Sequence, residues 1–186
     1  MAETFKVAVL VGSLREASFS RKLALALASL APETLRLEIV EIGDLPLYDE
    51  DQEGRHQAWS RFRTEIKAAD AVLFVTPEYN RSVPGCLKNA LDVGSRPYGH
   101  SAWSGKPGAV VSSSPGAMGG FGANHHLRQS LVFLNVPAMQ QPEAYVGGVA
   151  GLFDEDGHLI NEGTKGFLTQ FMVAFANWVA RLKAQG

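Results

Sequence analysis

The sequence has a single cysteine, Cys86, and no block of charge of one sign. One thiol cannot form a disulfide within the chain, and a structural zinc site would need histidine or carboxylate ligands instead. The formal net charge is only −2, and no run of lysine or arginine is long enough to make a surface for nucleic acid or for a membrane. We therefore expect neither of these two partners.

Long apolar runs are also lacking. The N-terminal apolar run, residues 7–11, is too short for the core of a signal peptide or for a membrane span, and no basic segment precedes it. We therefore expect a cytoplasmic location. Apolar residues make up 46% and charged residues 19% of the 186 residues, which is typical of one globular domain with a substantial core.

The apolar pattern alternates between strand and helix along the chain. Continuous or alternating apolar runs predict strands, and apolar residues at helical spacing predict helices between them. The predicted strands are Phe5–Val11, Leu35–Ile42, Ala71–Thr76, Ala109–Ser112 and a short one within 136–148; the predicted helices are 20–30, 56–68, 84–92, 124–134 and 167–182. This order predicts one α/β domain over residues 1–186, a doubly wound parallel sheet of five strands with helices on both faces.

Ligands of such sheets bind beyond the carboxyl ends of the strands, so the loops after the first, third and fourth strands are candidate sites. The first loop, Gly12–Ser20 (GSLREASFS), places three serines and Arg15 before a helix. Amides at a helix N-terminus, hydroxyls and a guanidinium can together bind a phosphate. A helix cap formed by Ser18 or Ser20, with Arg15 in solvent, explains the same residues. The loop is neither G-x-G-x-x-G nor a P-loop.

The other two loops suit a flat ring. In Pro77–Pro84 (PEYNRSVP), an aromatic side chain stands among hydrogen-bonding groups, although a rigid turn before a helix has the same composition. In Ser112–Gly120 (SSSPGAMGG), small residues let a ligand approach the backbone, as they would also make a flexible connection. The three loops together indicate a mononucleotide with a flat heterocycle, and FMN fits this description.

Four segments, "VGSLREASFS", "LPLYDED", "VTPEYNRSVPGCLKNALD" and "SSSPGAMGG", resemble the NADPH-dependent FMN reductase family, most closely its chromate/quinone reductase branch. The resemblance extends from Lys6 to the C-terminal helix. It implies a flavodoxin-like fold, FMN as cofactor and NADPH or NADH as reductant. It also implies a homodimer or homotetramer with the flavin near a subunit interface, to which Leu45–Asp51 would contribute.

The resemblance also implies which residues contact the flavin. The phosphate would be held by the first loop, and the ring by the second and third loops: Ser13, Arg15, Ser18, Phe19 and Ser20; Pro77, Glu78, Tyr79, Asn80 and Ser82; Ser113, Pro115 and Gly116. No side chain is expected to act as a catalytic group, because the flavin carries the chemistry. Arg96 could contact the phosphate of NADPH or an anionic acceptor, and a solvated arginine is an equal alternative.

The implied activity is NAD(P)H oxidation coupled to the reduction of quinones, flavins, azo compounds or metal oxyanions such as chromate. Hydride would pass through flavin N5 in a ping-pong cycle. The alternative is a flavodoxin-type electron carrier without its own NAD(P)H turnover. A carrier usually has a strongly acidic docking surface, and the nearly neutral chain argues against it.

The sequence departs from the family pattern in two places. Val93 and Gly94 stand where many members have Trp-Leu, and the following segment, Ser95–Trp103, is idiosyncratic and could alter the rim that faces the substrate. His125 and His126 lie in a helix that contributes to assembly in relatives. Adjacent helix positions point in different directions, so we expect no metal site at this pair.

Overall fold

The computed structural model describes residues 3–184, in which strands and helices alternate as predicted. Two short 3-10 turns, Glu50–Gln52 and Val149–Gly151, lie in connecting loops. Within the described residues, no helix is both long enough and apolar enough to cross a membrane. The main elements are β1 Phe5–Val11, α1 Phe19–Leu30, β2 Leu35–Ile39, α2 Gln57–Ala68, β3 Ala71–Pro77, α3 Gly85–Gly94, β4 Gly108–Ser113, α4 Phe121–Phe133, β5 Ala144–Val146 and α5 Glu162–Lys183.

The strands form one parallel sheet in the order β2-β1-β3-β4-β5. This is the flavodoxin-like order, in which the strand order reverses between β1 and β3. β1, β3 and β4 are buried along nearly their whole length, because helices cover both faces of the sheet. The loops that follow these three strands therefore lie side by side at one edge of the sheet.

Two apolar cores fix the sheet from opposite sides. On one face α1 and α5 bury Leu23, Leu27, Phe171 and Phe175. On the other face α2, α3 and α4 bury a second set, which includes Trp59, Phe62, Leu87, Trp103 and Leu127. Full burial of each large apolar side chain contributes about 1.5–3 kcal/mol, so the strand ends that carry the loops are firmly held.

Most element boundaries lie within two residues of those predicted, but three differ by more: the end of β2 and the starts of α4 and α5. β2 ends at Ile39, and Val40 N–H makes the next backbone hydrogen bond, to Val9 O at 2.9 Å. The alternating pattern continues to Ile42 because Val40 and Ile42 stay buried, but they do so in the core beneath α2. α4 begins at Phe121, because Gly120 has a left-handed φ of 77° and starts the helix earlier than the apolar pattern shows. α5 begins at Glu162 rather than at Phe167, because Asn161 caps the helix by accepting a hydrogen bond from Thr164 N–H.

Candidate functional site

The first loop crosses the carboxyl edge of the sheet between Val11 and Phe19. Gly12 lets the loop leave β1 close to β3, since a Cβ there would lie 2.9 Å from Thr76 Oγ1. Ser18 caps α1 by accepting a hydrogen bond from Arg21 N–H at 3.2 Å. The predicted helix cap is therefore present, and it aims the N-terminus of α1 at the space between the loops.

The donors of this loop are free to bind a ligand. Among the described residues, no acceptor is hydrogen-bonded to the backbone N–H groups of residues 13–18. Arg15 is exposed and forms no ion pair within residues 3–184. The partial positive charge of a helix N-terminus adds to these donors. This donor set fits the phosphate of FMN.

The second loop is a tight two-residue turn at the end of β3. Tyr79 N–H donates to Ser82 O, and Ser82 N–H donates to Tyr79 O, both at 2.9 Å. Asn80 and Arg81 between them have φ values of 50° and 65°, which is the pattern of a type I′ turn. The N–H groups of Glu78 and Asn80 have no acceptor among residues 3–184, and can donate to the edge of a flat ring.

The three loops line one cavity of about 170 Å³. Ser20 Oγ lies 3.4 Å from Ser113 Oγ and joins the first loop to the third. Every residue predicted to contact the flavin lines this cavity except Asn80, Ser82 and Gly116. The lining consists of Ser13, Arg15, Ser18, Phe19, Ser20, Pro77, Glu78, Tyr79, Ser113, Ser114, Pro115 and Val149.

The three exceptions have other surroundings. Asn80 is exposed at the tip of the turn. Ser82 Oγ shares a 2.9 Å hydrogen bond with His126 Nδ1 on α4. Gly116 O accepts hydrogen bonds from Gly119 and Gly148 N–H at 3.3 and 3.4 Å, which closes the third loop on itself.

Two lining residues were missed by the sequence analysis. Ser114 lies within the predicted third loop, Ser112–Gly120, and its polar side chain could have identified it as a ligand contact. Val149 follows β5 and reaches the cavity because its N–H donates to Ser114 O at 3.2 Å. No local pattern predicts this contact, because it depends on the pairing of β4 with β5.

Arg96 lies outside this cavity and lines another one nearby. A second cavity shares Ser13, Arg15 and Tyr79 with the first and continues to the N-terminus of α3. A third cavity begins there, and it is lined by Leu47, Tyr48, Gly85, Lys88, Asn89, Asp92 and Arg96. Gly85 lines both the second and the third cavity, so the three cavities are neighbours on the surface, and we call them together the depression.

Cys86 lines the second cavity at the start of α3. Burial is the main cause that raises the pKa of its thiol, and this outweighs the backbone N–H groups that favour the thiolate. The thiol therefore stays protonated near neutral pH, and Cys86 packs as a small apolar residue.

The departures at residues 93–103 compensate for one another. Trp103 is fully buried, and its indole N–H donates to Leu91 O at 3.0 Å. Its ring fills the position of a side chain at residue 94, since a Cβ on Gly94 would lie 2.5 Å from the ring atoms. The small Gly94 and the large Trp103 therefore belong to one packing arrangement.

Two clusters of metal-binding residue types have structural partners. His125 Nε2 hydrogen-bonds Tyr145 Oη at 3.0 Å, while His126 turns to Ser82, so the pair diverges as predicted. Asp154, Asp156 and His158 have ligand atoms within 4.8 Å of one another in the loop before α5. Asp154 there accepts hydrogen bonds from His158 N–H at 2.7 Å and from its ring at 3.2 Å, which closes the turn.

Known proteins resemble this chain over nearly its whole length. A quinone reductase of Pseudomonas putida is 67% identical over 181 residues, which cover 96% of this chain and 97% of that protein. A 2-hydroxy-1,4-benzoquinone reductase of a Burkholderia species is 48% identical, with 94% and 96% covered. Among solved structures, FerB of Paracoccus denitrificans, a flavoenzyme NAD(P)H:(acceptor) oxidoreductase, matches with a TM-score of 0.90 and 41% identity, covering 96% of this chain and 98% of that one.

The family model of NADPH-dependent FMN reductases matches residues 5–151, which include all three loops of the cavity. The first loop offers hydrogen-bond donors for a phosphate, and Tyr79 offers an exposed aromatic ring in the same cavity. The fold and the similarity agree, and the chain belongs to the NADPH-dependent FMN reductase family.

Proposed function

We propose that this protein is a quinone reductase that holds FMN in the cavity between the three loops and takes hydride from NADPH or NADH. Membership of the family makes the chain an NAD(P)H-dependent flavin oxidoreductase. The choice of quinones as acceptors is supported by the relatives of Pseudomonas and Burkholderia, both named as quinone reductases. The observation that carries the proposal is the cavity itself, which gathers phosphate donors at one end and an aromatic side chain at the other.

The chain's own residues would bind and orient the cofactor. Arg15, the N–H groups of residues 13–18 and the end of α1 would neutralise the phosphate. Ser13, Ser18, Ser20 and Ser113 would surround it with hydroxyls, and Phe19 and Pro115 would exclude water beside it. Of the remaining predicted contacts, Ser82 and Gly116 would shape the loops, and Asn80 would contribute its backbone N–H.

The turn at the end of β3 would orient the ring. Pro77 and Tyr79 offer apolar surface, and Glu78 and Asn80 offer backbone N–H groups that can stabilise negative charge on a reduced ring. When bound, FMN supplies the redox chemistry by taking hydride at N5 and passing electrons to an acceptor, which predicts ping-pong kinetics. No side chain of the chain is required as a nucleophile.

The acceptor would lie in the open depression that continues toward Arg96. Tyr48 offers an aromatic surface there, and Arg96 offers a positive charge next to the paired Lys88 and Asp92. This lining suits an acidic quinone or the phosphate of NADPH, and it is open enough for flavins, azo compounds and oxyanions such as chromate. We propose Arg96 as the substrate contact in this depression.

The exposed side of α4 supports a homodimer or a homotetramer. Phe121, Val132 and Phe133 are exposed apolar side chains on this helix, and Phe121 packs on Tyr145 with ring centroids 5.4 Å apart. Exposed apolar patches are typical of protein interfaces. We further propose that the chain is one domain and that it works in the cytoplasm.

The test is a visible spectrum of the protein reconstituted with FMN and freed of excess by gel filtration. We expect a retained flavin spectrum that bleaches with anaerobic NADPH or NADH and returns when a quinone is added. A retained spectrum that neither nicotinamide bleaches would identify an electron carrier instead. Loss of all flavin during gel filtration would refute the cofactor site.

A further inference from the structure

The turn at residues 78–82 is tied to α4 at both of its ends. At one end Glu78 Oε2 accepts a hydrogen bond from Ala123 N–H, 3.1 Å away in the first turn of α4. At the other end Ser82 Oγ lies 2.9 Å from His126 Nδ1. Ala123 and His126 are about one helical turn apart on α4, so this one helix is hydrogen-bonded to both ends of the β-turn.

The ties act on a turn that would not hold this shape by itself. Arg81 has a left-handed φ of 65°, and such a backbone costs a residue with a Cβ about 1–2 kcal/mol. Asn80 adopts the left-handed region more readily, because its short polar side chain tolerates it. The ion pair between Arg81 and Glu78 spans 3.5 Å and lies in solvent on the arginine side, so it contributes little. Contacts outside the turn must therefore offset its cost.

Close packing against α4 leaves the turn little freedom. A Cβ on Gly122 would lie 2.8 Å from Arg81 O and 2.9 Å from Glu78 Oε2. The turn and the helix are therefore in direct backbone contact at this glycine. The side chain of Glu78 also ends at the positive N-terminus of α4, which strengthens its hydrogen bond.

We propose that α4 is the frame that orients the ring-side turn, and that His126 and Glu78 are positioning residues for the flavin reaction. The proposal rests on the proposed function insofar as the turn faces the flavin ring. His126 would act through Ser82, and Glu78 through the backbone of the turn that carries Tyr79. Neither side chain is required to touch the substrate.

The first test needs no flavin and measures hydrogen exchange of peptides covering 77–84 in the full-length chain. The N–H groups of Tyr79 and Ser82 are protected only while the turn is closed. Loss of one hydrogen bond predicts about two- to tenfold faster exchange in His126→Ala. His126→Asn, whose amide can replace Nδ1, should restore the slow rate.

The matched control is His158→Ala. His158 is an exposed histidine in the loop before α5, and its ring also makes one side-chain hydrogen bond, to Asp154 at 3.2 Å. Its removal should leave exchange at 77–84 unchanged. Equal exchange in His126→Ala and the wild type would contradict the proposal that α4 holds the turn through His126. Equal acceleration in both alanine variants would contradict it as well. If His126→Ala does not fold, Glu78→Ala serves as the second variant, because it removes the acceptor of the Ala123 N–H, and it should also accelerate exchange.

The second test measures the flavin itself. If His126 positions the turn beside the flavin ring, His126→Ala should lower the affinities for FMN and for riboflavin by the same factor, about two- to tenfold. It should also lower kcat with a quinone. His158→Ala should leave both flavin affinities and kcat unchanged. Faster exchange with unaltered flavin affinities and kcat would overturn the positioning role. A wild type that binds no flavin would refute the proposed function instead. The exchange result would still decide whether α4 holds the turn through His126 and Glu78.

Discussion

Arg15 stands where two cavities meet, and its effect on binding should depend on the phosphate of the ligand. A charge-assisted contact is worth about 1.5–3 kcal/mol, so Arg15→Ala should weaken FMN about 10- to 150-fold. Riboflavin, which lacks the phosphate, should bind the variant as it binds the wild type. Fluorescence titration with both flavins measures this difference. The side chain is exposed, so the melting temperature of the flavin-free protein should not change.

An equal loss of FMN and riboflavin affinity in Arg15→Ala would contradict the phosphate role. It would mean that the arginine supports the shape of the first loop or contacts the ring. Undiminished FMN affinity would remove Arg15 from the site altogether.

Gly94 is a second residue whose role is decided by one neighbour. A Cβ there would lie 2.5 Å from the buried ring of Trp103, so Gly94→Ala overpacks the core and should cost about 1–3 kcal/mol of unfolding free energy. Gly166→Ala is the matched control, because nothing lies within 4 Å of a Cβ at that position in α5. Replacing a helical glycine with alanine, where there is space for the Cβ, should raise the free energy of unfolding by about 0.5–1 kcal/mol. Urea denaturation should therefore give opposite signs, and two changes of the same sign would contradict the packing argument.

At the scale of elements, the loop between β2 and α2 is fixed to both α2 and α3. Asn89 accepts a hydrogen bond from Tyr48 N–H at 2.9 Å and donates to Leu45 O and Pro46 O. Arg63 reaches from α2 to Glu53 and, at 2.8 Å, to Val93 O on α3. Contacts within the protein therefore hold the wall of the depression near Arg96 in place, and no ligand is needed to form it.

The pair of Glu53 and Arg63 makes this wall sensitive to acid. The hydrogen bonds from Arg63 are the main cause that lowers the pKa of Glu53 below its usual value, against a smaller effect of burial. A lowered folded-state pKa stabilises the protein above the unfolded pKa, about 4.3, and this stability is lost as the pH falls through the folded value. Glu53→Gln should cost about 1.5–3 kcal/mol at pH 7 and progressively less below pH 4.

Urea denaturation at pH 7 and pH 3.5 tests this dependence, with Glu65→Gln as control. Glu65 is also paired with an arginine of α2, at 2.8 Å, but its side chain is 40% exposed, whereas that of Glu53 is 27% exposed. An exposed pair of this spacing is worth only about 0.3–0.5 kcal/mol. A cost of Glu53→Gln that stays constant down to pH 3.5 would show that the carboxylate does not depend on Arg63.

Local patterns predict the elements better than they predict contacts between elements. The runs at β1, β3 and β4 are long and apolar because both faces are covered, so their positions and the loops after them could be predicted from sequence. The end of β2 could not, since Ile42 remains buried after the strand has ended. Val149 and the pairing of Gly94 with Trp103 could not either, because each depends on residues that only the folded sheet brings together.

At the scale of the whole molecule, the candidate site draws on both cores. The first loop leads into α1 on one face, the second leads into α3 on the other, and the third leads into α4. A ligand that contacts all three loops therefore bridges elements that separate only when the sheet unfolds. Binding should consequently appear as stability of the whole domain rather than as ordering of one loop.

This coupling predicts a concentration-dependent rise of the melting temperature with FMN. At a free concentration 100 times the Kd, a ligand that binds only the folded state adds about 2.7 kcal/mol. For a chain of this length that corresponds to about 5–10 °C. Riboflavin at the same concentration should give a smaller rise. Arg15→Ala should narrow the difference between the two rises, because it removes one phosphate contact while the N–H groups of residues 13–18 remain. Differential scanning fluorimetry over a series of concentrations measures both effects. Equal rises with FMN and riboflavin in the wild type would mean that the first loop does not bind the phosphate. The ligand would then be bound only through contacts to its ring.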